Sequence, residues 1–264
     1  MNRLMLAIGK KVTEYTEIIF GPLKFIPYTF YSILFEYRNK RSNIKHLFLS
    51  EVVYSGVKVL PIIIFFGFFS GAITIYMLPI NRISLGIDNI YGYLFSNILI
   101  KEFAPFLSSV VVMIRSSISV TIGLSNMKVA GELETLEIIG INPIIYLGTS
   151  KILAGIIIIP ILTVYFSIAA LISYCLFAVT TNSMQLSEIL KQISNVLSAD
   201  ILIINFIKAF CNGLIIFTIA IYVGFKDEIK SINVIKNGIQ SITTTLFALL
   251  IFNILLTAIF DAIQ

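Results

Sequence analysis

The sequence predicts an all-α, polytopic membrane protein with five transmembrane helices, an N-terminal interfacial helix and a short cytoplasmic helix. Hydrophobic residues make up 58% of the 264 residues, charged residues only 12%, and the mean hydropathy is +0.96. A soluble domain of this length cannot hide so much apolar surface. Apolar stretches also reach the length of about 20 residues that a spanning helix needs. They cover residues 52–79, 93–123, 144–179, 199–224 and 238–261.

The first 50 residues predict a segment that lies on the membrane surface. Short apolar runs alternate there with charged residues, and Lys10 and Glu14 interrupt any apolar core of a cleavable signal. The stretch GPLKFIPYTFYSILFEYRNKRSNIK is typical of an interfacial helix followed by a basic anchor. A plain topogenic tail is the alternative. The chain is therefore divided into an N-terminal anchor segment, residues 1–50, and a transmembrane domain, residues 51–264.

The positions of Lys and Arg predict the orientation. With five spans and a cytoplasmic N-terminus, most Lys and Arg residues of the loops and termini lie on the cytoplasmic side. The loops on the opposite side contain only Arg82 and Lys191. Residues 125–142 and 226–237 are then cytoplasmic and the C-terminus lies outside. The net charge of +5 therefore reflects membrane topology and does not indicate nucleic-acid binding. Cys175 and Cys211 lie in separate spans, so no metal site and no cofactor is predicted.

The stretch SNMKVAGELETLEIIGINPIIYL, residues 125–147, predicts a short amphipathic helix over about 126–140. Val129, Leu133 and Leu136 share one helical face, by their i, i+4 and i+7 spacing. The acidic residues lie on other sides of the helix, and the following residues read as caps. These are Glu132, Glu134 and Glu137, with Gly140 as the C-terminal cap and Asn142 and Pro143 as the start of the next helix.

The charge of this helix favours a protein partner. A connector lying flat on the inner leaflet is the alternative, but such a helix is normally basic, because each Lys or Arg near anionic lipid contributes about 1 kcal/mol. Here three glutamates accompany the single Lys128. The acidic face therefore indicates docking on a basic protein surface in the cytoplasm.

Charges within the spans predict a polar pocket. Lys101 and Lys208 each lie roughly 12 Å below the outer boundary, at 1.5 Å per residue, and Glu102 is beside the first. Intramembrane charges are usually paired, buried or functional, and an anionic head group is the natural ligand here. Charge pairing for packing alone is the alternative. Arg115, near the inner end of its span, is given a structural role, since its side chain can snorkel to the interface.

Two glycines predict a close helix contact. Gly67 and Gly71 have the small-xxx-small spacing that lets two helices approach closely. Such spacings are also frequent by chance in apolar sequence, so this contact is a hypothesis.

These residues together resemble a known family. The stretches LIKEFAPFLSSVVVMIRSSIS, NMKVAGELETLEIIGINPIIYL, PILTVY, NFIKAF and SITTTLFALLIFNILLTAIF are similar, in order and spacing, to those of the MlaE (YrbE) permeases of ABC transporters. The resemblance runs from about residue 50 to the end of the chain.

The resemblance implies a homodimeric permease in the inner membrane of a Gram-negative bacterium. It implies a cytoplasmic ABC ATPase as partner, a periplasmic MCE-domain protein and in many cases a STAS-domain protein. Such complexes move phospholipid between the inner and outer membranes and maintain outer-membrane asymmetry. The helix at about 126–140 would be the coupling helix that faces the ATPase, through Lys128, Glu132, Glu134 and Glu137. Lys101, Glu102 and Lys208 match positions that line the lipid pocket.

The chain also departs from the family pattern. Where the family usually has Arg-Ala-Gly this chain has Arg115–Ser117, and an expected Glu shortly afterwards is Gly123. A further expected Glu aligns with Gly131, although Glu132 is adjacent, and the Gly expected before a proline is Ala104. The fold prediction is unaffected by these departures, but they weaken any transfer of the family's detailed mechanism to the region around Arg115 and Gly123.

Two other function classes agree less well with the sequence. The chain has no phosphate-binding loop of the Walker type, so ATP would be bound by the partner and the chain itself is no enzyme. An ion-coupled secondary transporter of an amphipathic anion could use Glu102 as an ion site, but it needs no acidic docking helix. A membrane-embedded enzyme is disfavoured, because His46 is the only histidine and no catalytic residues are predicted.

Overall fold

The structure, a computed structural model, describes residues 41–76, 90–182, 185–226 and 234–263, together with Gly21 and Pro27. These residues are almost entirely helical and contain no β-strand, which confirms the predicted all-α class. Most of the predicted N-terminal interfacial helix lies outside the described residues. The part that is described forms the helix Arg41–Val52.

Five helices in the described part of the chain are long and apolar enough to cross a membrane, as predicted. Each exceeds the about 20 residues needed to cross the hydrocarbon core. We name them spans 1 to 5 in chain order: His46–Tyr76, Leu94–Val129, Ile144–Thr180, Ala199–Gly224 and Val234–Ala262.

Span 2 extends beyond its predicted end and is not a regular α-helix. It continues to Val129 instead of ending near residue 123, because the polar residues at its end keep helical hydrogen bonding. Two segments, Leu94–Phe103 and Met113–Ser117, have wider π-helical turns. Such turns are frequently found at functional sites.

Three short helices lie between the spans. Glu132–Ile138 connects spans 2 and 3, Ile90–Tyr93 precedes span 2, and Leu186–Val196 precedes span 4. The Leu186–Val196 helix is amphipathic, with Ile189 and Ile193 buried one turn apart and Leu186 exposed. These elements complete the helical connections without a separate soluble domain among the described residues.

The chain forms two compact units, and each contains parts of several spans. The first unit comprises Met1–Val52, Met113–Gly155 and Leu214–Ile254. Its helices are joined by buried polar contacts. The Ser117 and Ser241 hydroxyls lie 2.8 Å apart, and the Thr121 hydroxyl donates to the Ala220 carbonyl at 3.0 Å. Lys151 Nζ and Glu51 Oε2 form a salt bridge of 2.8 Å, and Glu51 is buried.

The second unit comprises Val53–Val112, Ile156–Gly213 and Leu255–Gln264. Within it, Gly67 and Gly71 lie directly against the backbone of span 3. A Cβ atom at Gly67 would come within 2.7 Å of the Phe166 carbonyl oxygen, and one at Gly71 would clash with the Ala170 carbonyl. The two glycines therefore allow spans 1 and 3 to approach more closely than any larger side chain would permit.

Candidate functional site

Two ion pairs join spans 2, 4 and 5 within the second unit. Lys101 Nζ lies 2.6 Å from Asp261 Oδ1, and Lys208 Nζ lies 2.6 Å from Glu102 Oε1. Lys208 Nζ also donates to the Thr257 hydroxyl at 2.7 Å and to the Lys101 carbonyl oxygen at 3.3 Å. We call these five residues the polar cluster. The structure therefore brings together Lys101, Glu102 and Lys208, the three residues predicted for a pocket.

The adjacent residues Lys101 and Glu102 reach different partners on span 5. Consecutive side chains on a helix point in different directions, so the two cannot point the same way. Asp261 and Thr257 lie four residues apart and share one face of span 5. The Asp261 carboxylate accepts from Lys101, and the Thr257 hydroxyl donates to the Glu102 carboxylate. One face of span 5 thus holds both residues of the pair.

Span 4 supplies hydrogen bonds that span 2 cannot make for itself. Pro105 has no N–H group, so the carbonyl groups one turn before it lose their helical donor. The Asn205 amide donates to the Ile100 carbonyl oxygen at 2.6 Å, and Lys208 donates to the Lys101 carbonyl oxygen. Within the hydrocarbon core no water can donate to these carbonyl groups, so neighbouring helices must supply the hydrogen-bond donors. Lys208 therefore has a structural role in addition to its ion pair.

The amines of the polar cluster are buried and the carboxylates are more exposed. The side chains of Lys208 and Lys101 are 0% and 9% exposed, whereas those of Glu102 and Asp261 are 36% and 54% exposed. The cluster has two positive and two negative groups, so it is balanced in charge. It thus differs from the pair of lysines with a single acid that the sequence predicts.

Sequence reasoning missed three members of this region, Asn205, Thr257 and Asp261. A usable signal exists in the spacing, because Thr257 and Asp261 are four residues apart on an otherwise apolar span. Asn205 and Lys208 are likewise three residues apart on span 4. These polar residues at helical spacing indicate one polar side on each span, but not which sides converge.

The predicted single helix over 126–140 is wrong, because the chain turns in its middle. Span 2 ends at Val129, and the Glu132–Ile138 helix begins after Gly131, whose φ is +76°. Leu133 is buried on this short helix as predicted, but Val129 is 46% exposed and belongs to span 2. The predicted apolar face therefore does not run through Val129.

The end of the short helix follows the predicted caps. Gly140 has φ +81°, its N–H donates to the Glu137 carbonyl oxygen at 2.9 Å, and the Ile141 N–H donates to the Leu136 carbonyl oxygen at 2.9 Å. This pair of bonds is the Schellman arrangement. Asn142 Oδ1 then accepts the Ile144 N–H at 3.1 Å and caps the helix that begins at Pro143.

The four residues predicted for ATPase coupling are separated by the structure. Glu132, Glu134 and Glu137 are exposed on the short helix. Lys128 Nζ instead donates to two backbone carbonyl oxygens at the end of span 4, those of residues 225 and 226, at 3.0 and 3.1 Å. Lys128 therefore ties span 2 to span 4, and the exposed charge is acidic.

The structure gives a physical reason for the departure from the family pattern at Gly131, but none for the departure at Gly123. The left-handed backbone of Gly131 would be strained by any side chain, including the expected Glu. A Cβ atom at Gly123, in contrast, would meet no atom within 4 Å.

Arg115 is half-buried in the π-helical Met113–Ser117 segment of the first unit. Within the described residues, no group of three or more His, Cys, Asp or Glu side chains could hold a metal ion.

Comparisons with known proteins identify the family and relatives of this chain. The sequence profile of the family described as "Permease MlaE" matches residues 48–259. The "Probable ABC transporter permease protein RP096" of Rickettsia prowazekii is 23% identical over 214 residues, which are 81% of this chain and 83% of that protein. A "Probable ABC transporter permease protein" of Rickettsia typhi is 23% identical over 211 residues, or 80% of this chain and 82% of its own length.

Proposed function

The chain belongs to the MlaE family of ABC-transporter permeases, and from this premise we propose that it moves phospholipid between the inner and outer membranes of a Gram-negative bacterium. The proposal includes maintenance of lipid asymmetry in the outer membrane. As an ABC permease it is a multi-pass membrane protein and works with an ATPase partner. This membership argues against an ion-coupled secondary transporter.

The polar cluster is the observation that carries the substrate proposal. Charged groups within a membrane span are costly, and they persist where they are paired or serve a substrate pathway. If the pair served only to neutralise charge within the protein, both partners could be fully enclosed. The Asp261 side chain is instead 54% exposed, whereas that of Lys101 is nearly buried. The pair is therefore open to exchange with another anion.

We assign the following roles within the cluster. A lipid phosphate replaces the Asp261 carboxylate on Lys101, because an anion can approach this pair from its exposed side. Lys208 holds Glu102 and the neighbouring carbonyl group in place, since its own side chain is 0% exposed and has no open side. Lys101 is thus the direct ligand, Lys208 a positioning residue, and Glu102 the carboxylate that faces a cationic part of the head group.

The Glu132–Ile138 helix is proposed as the coupling helix. Its exposed glutamates, Glu132, Glu134 and Glu137, suit a basic surface on the cytoplasmic ATPase. ATP would be bound by that partner, since this chain carries no phosphate-binding loop of the Walker type. Closure of the ATPase dimer would push on this helix and drive the permease between conformations. Lys128 supports the helix by holding the end of span 2.

The proposal extends to the assembly. The chain would form a homodimer in the inner membrane, with its N-terminus in the cytoplasm and its C-terminus in the periplasm. A periplasmic MCE-domain protein would exchange the lipid, and a STAS-domain protein would accompany the ATPase. The exposed apolar residues Phe247, Ile251 and Ile254 make span 5 suitable for contact with lipid or with a second permease copy.

Co-expression with the products of neighbouring genes tests this function. The permease is purified in lipid nanodiscs with the ABC ATPase and MCE-domain proteins encoded beside it, and ATP hydrolysis is measured with and without added phospholipid. Stable co-purification and stimulation by phospholipid are expected. Lack of any ATPase in the purified complex, or hydrolysis that ignores phospholipid, would contradict the proposal.

A further inference from the structure

Two isoleucines at the end of the Glu132–Ile138 helix are exposed outside the spans. Ile138 is 85% exposed and Ile139 is 67% exposed, and no other large hydrophobic side chain in the described residues is as exposed as Ile138. We propose that Ile138 and Ile139 are the apolar anchor that binds the ATPase subunit, in an apolar socket bordered by Lys and Arg. This inference rests on the proposed function and identifies the part of the helix that supplies most of the affinity.

The geometry of the helix directs Ile138 away from the protein. Leu133 is 5% exposed and marks the side of the helix that packs inward. Ile138 follows five residues later, so at about 100° per residue it lies about 140° around the helix from Leu133. Glu134 lies beside it, at about 100° from Leu133 by the same measure. The outward side therefore presents an isoleucine next to a carboxylate.

The backbone around the two isoleucines is held in a fixed conformation. The left-handed Gly140 and its hydrogen bonds end the helix directly after Ile139, and the next helix is capped by Asn142. At the other end, the Thr135 hydroxyl and N–H both bond to the Gly131 carbonyl oxygen. A preorganised surface loses little conformational freedom on binding, which favours affinity.

The surrounding charge selects a protein as the occupant and disfavours a lipid surface. Three exposed glutamates, Glu132, Glu134 and Glu137, lie on the same seven-residue helix as Ile138. An anionic leaflet repels such a surface, whereas a basic protein surface attracts it. Protein interfaces typically combine a buried apolar anchor with a polar rim, and the anchor carries most of the energy. The occupant is therefore a protein with an apolar socket and a basic rim.

The exposed apolar residues of the spans do not share this requirement. Phe247 and Ile254 are 64% and 66% exposed, but they lie within span 5, where lipid tails or a second copy can surround them. Ile138 and Ile139 lie outside every span, so they need another apolar surface to leave water.

Affinity measurements with truncated side chains test this proposal. The wild-type permease and the double variant Ile138→Ala/Ile139→Ala are placed in nanodiscs, and the ABC ATPase encoded beside the permease is titrated onto each. Loss of two buried anchors is expected to weaken binding by at least about tenfold. Leu186→Ala/Leu190→Ala is the matched control, because it truncates an exposed apolar pair, 52% and 42% exposed, on a helix expected across the membrane.

The outcomes separate this inference from the proposed function. A loss in the isoleucine variant, with unchanged affinity in the control and unchanged thermal unfolding in both, supports the anchor. Wild-type affinity in the isoleucine variant overturns the anchor and leaves the proposed function intact. Failure of the ATPase to bind the wild-type permease overturns both.

Discussion

Lys208 Nζ lies 2.6 Å from Glu102 Oε1, and the Lys208 side chain is 0% exposed while that of Glu102 is 36% exposed. The Lys208 amine therefore has no contact with solvent, whereas the Glu102 carboxylate does. Among the described residues, the other acceptors of Lys208 are neutral, the Thr257 hydroxyl and the Lys101 carbonyl oxygen. Loss of the Glu102 charge alone therefore leaves a buried cation without a compensating anion. The two residues are unequal partners, and their substitution has unequal consequences.

Replacement of Glu102 tests this inequality. Glu102→Gln is expected to lower the free energy of unfolding by about 2 kcal/mol. This loss is smaller than that on breaking a fully enclosed ion pair, because Glu102 is partly exposed. The double variant Glu102→Gln/Lys208→Met removes both charges and is expected to recover part of that loss. Thermal unfolding in nanodiscs provides the comparison. A double variant less stable than Glu102→Gln would show that Lys208 stabilises the helices mainly through its carbonyl contact.

Replacement of Asp261 tests the exchange of anions on Lys101. Asp261→Asn removes the competing carboxylate, so more phospholipid is expected to co-purify with the permease. Stability should change by no more than about 1 kcal/mol, because this pair is partly exposed. Bound phospholipid is measured by mass spectrometry after purification. Reduced lipid in the variant would mean that Asp261 itself helps to hold the head group.

Two glycines of span 2 and its following turn form a matched pair for a backbone test. Gly131→Ala is expected to cost about 1 kcal/mol, because a left-handed backbone disfavours a Cβ atom. Gly123→Ala adds the same atom in a helical backbone with open space around it, and is expected to stabilise the protein by about 0.5–1 kcal/mol. Thermal unfolding measures both changes. Equal effects of the two substitutions would contradict the role assigned to the Gly131 turn.

Charge reversal on the short helix tests the acidic docking surface. Glu134→Lys/Glu137→Lys is expected to slow association with the ATPase at low salt by about tenfold, and the difference should shrink as salt screens the charges. Association rates are measured on nanodisc-bound permease at two salt concentrations. Asp200→Lys, a change at the first turn of span 4, serves as the control. Rates that match the wild type at low salt would remove these glutamates from the interface.

The spans could be predicted from the sequence because apolar length alone determines them. The caps at Gly140 and Asn142 were also readable, since each depends on local backbone chemistry. The turn at Gly131 could not be predicted, because the sequence pattern places this glycine inside a continuous helix. Its left-handed conformation follows from the change in chain direction between two helices, which the local pattern does not reveal.

The composition of the polar cluster could be predicted only in part. Lys101, Glu102 and Lys208 were identified because charges in apolar spans are conspicuous. Asp261 lies at the end of the last span, where a charge is unremarkable, and its distance of 160 residues from Lys101 hides the pairing. The sequence likewise predicts that Lys128 faces the ATPase, because only the folded chain brings the end of span 4 next to this lysine.

ATP-driven transfer of labelled phospholipid by the reconstituted complex shows whether Lys101 binds the transported lipid. Vesicles containing the permease, its ATPase and its MCE-domain partner are compared with vesicles that contain Lys101→Ala in the same complex. If Lys101 binds the lipid phosphate, the Lys101→Ala complex assembles normally but transfers lipid at least about tenfold more slowly, because a charged ligand to phosphate is lost. Transfer at the wild-type rate by a fully assembled Lys101→Ala complex would contradict this role of Lys101.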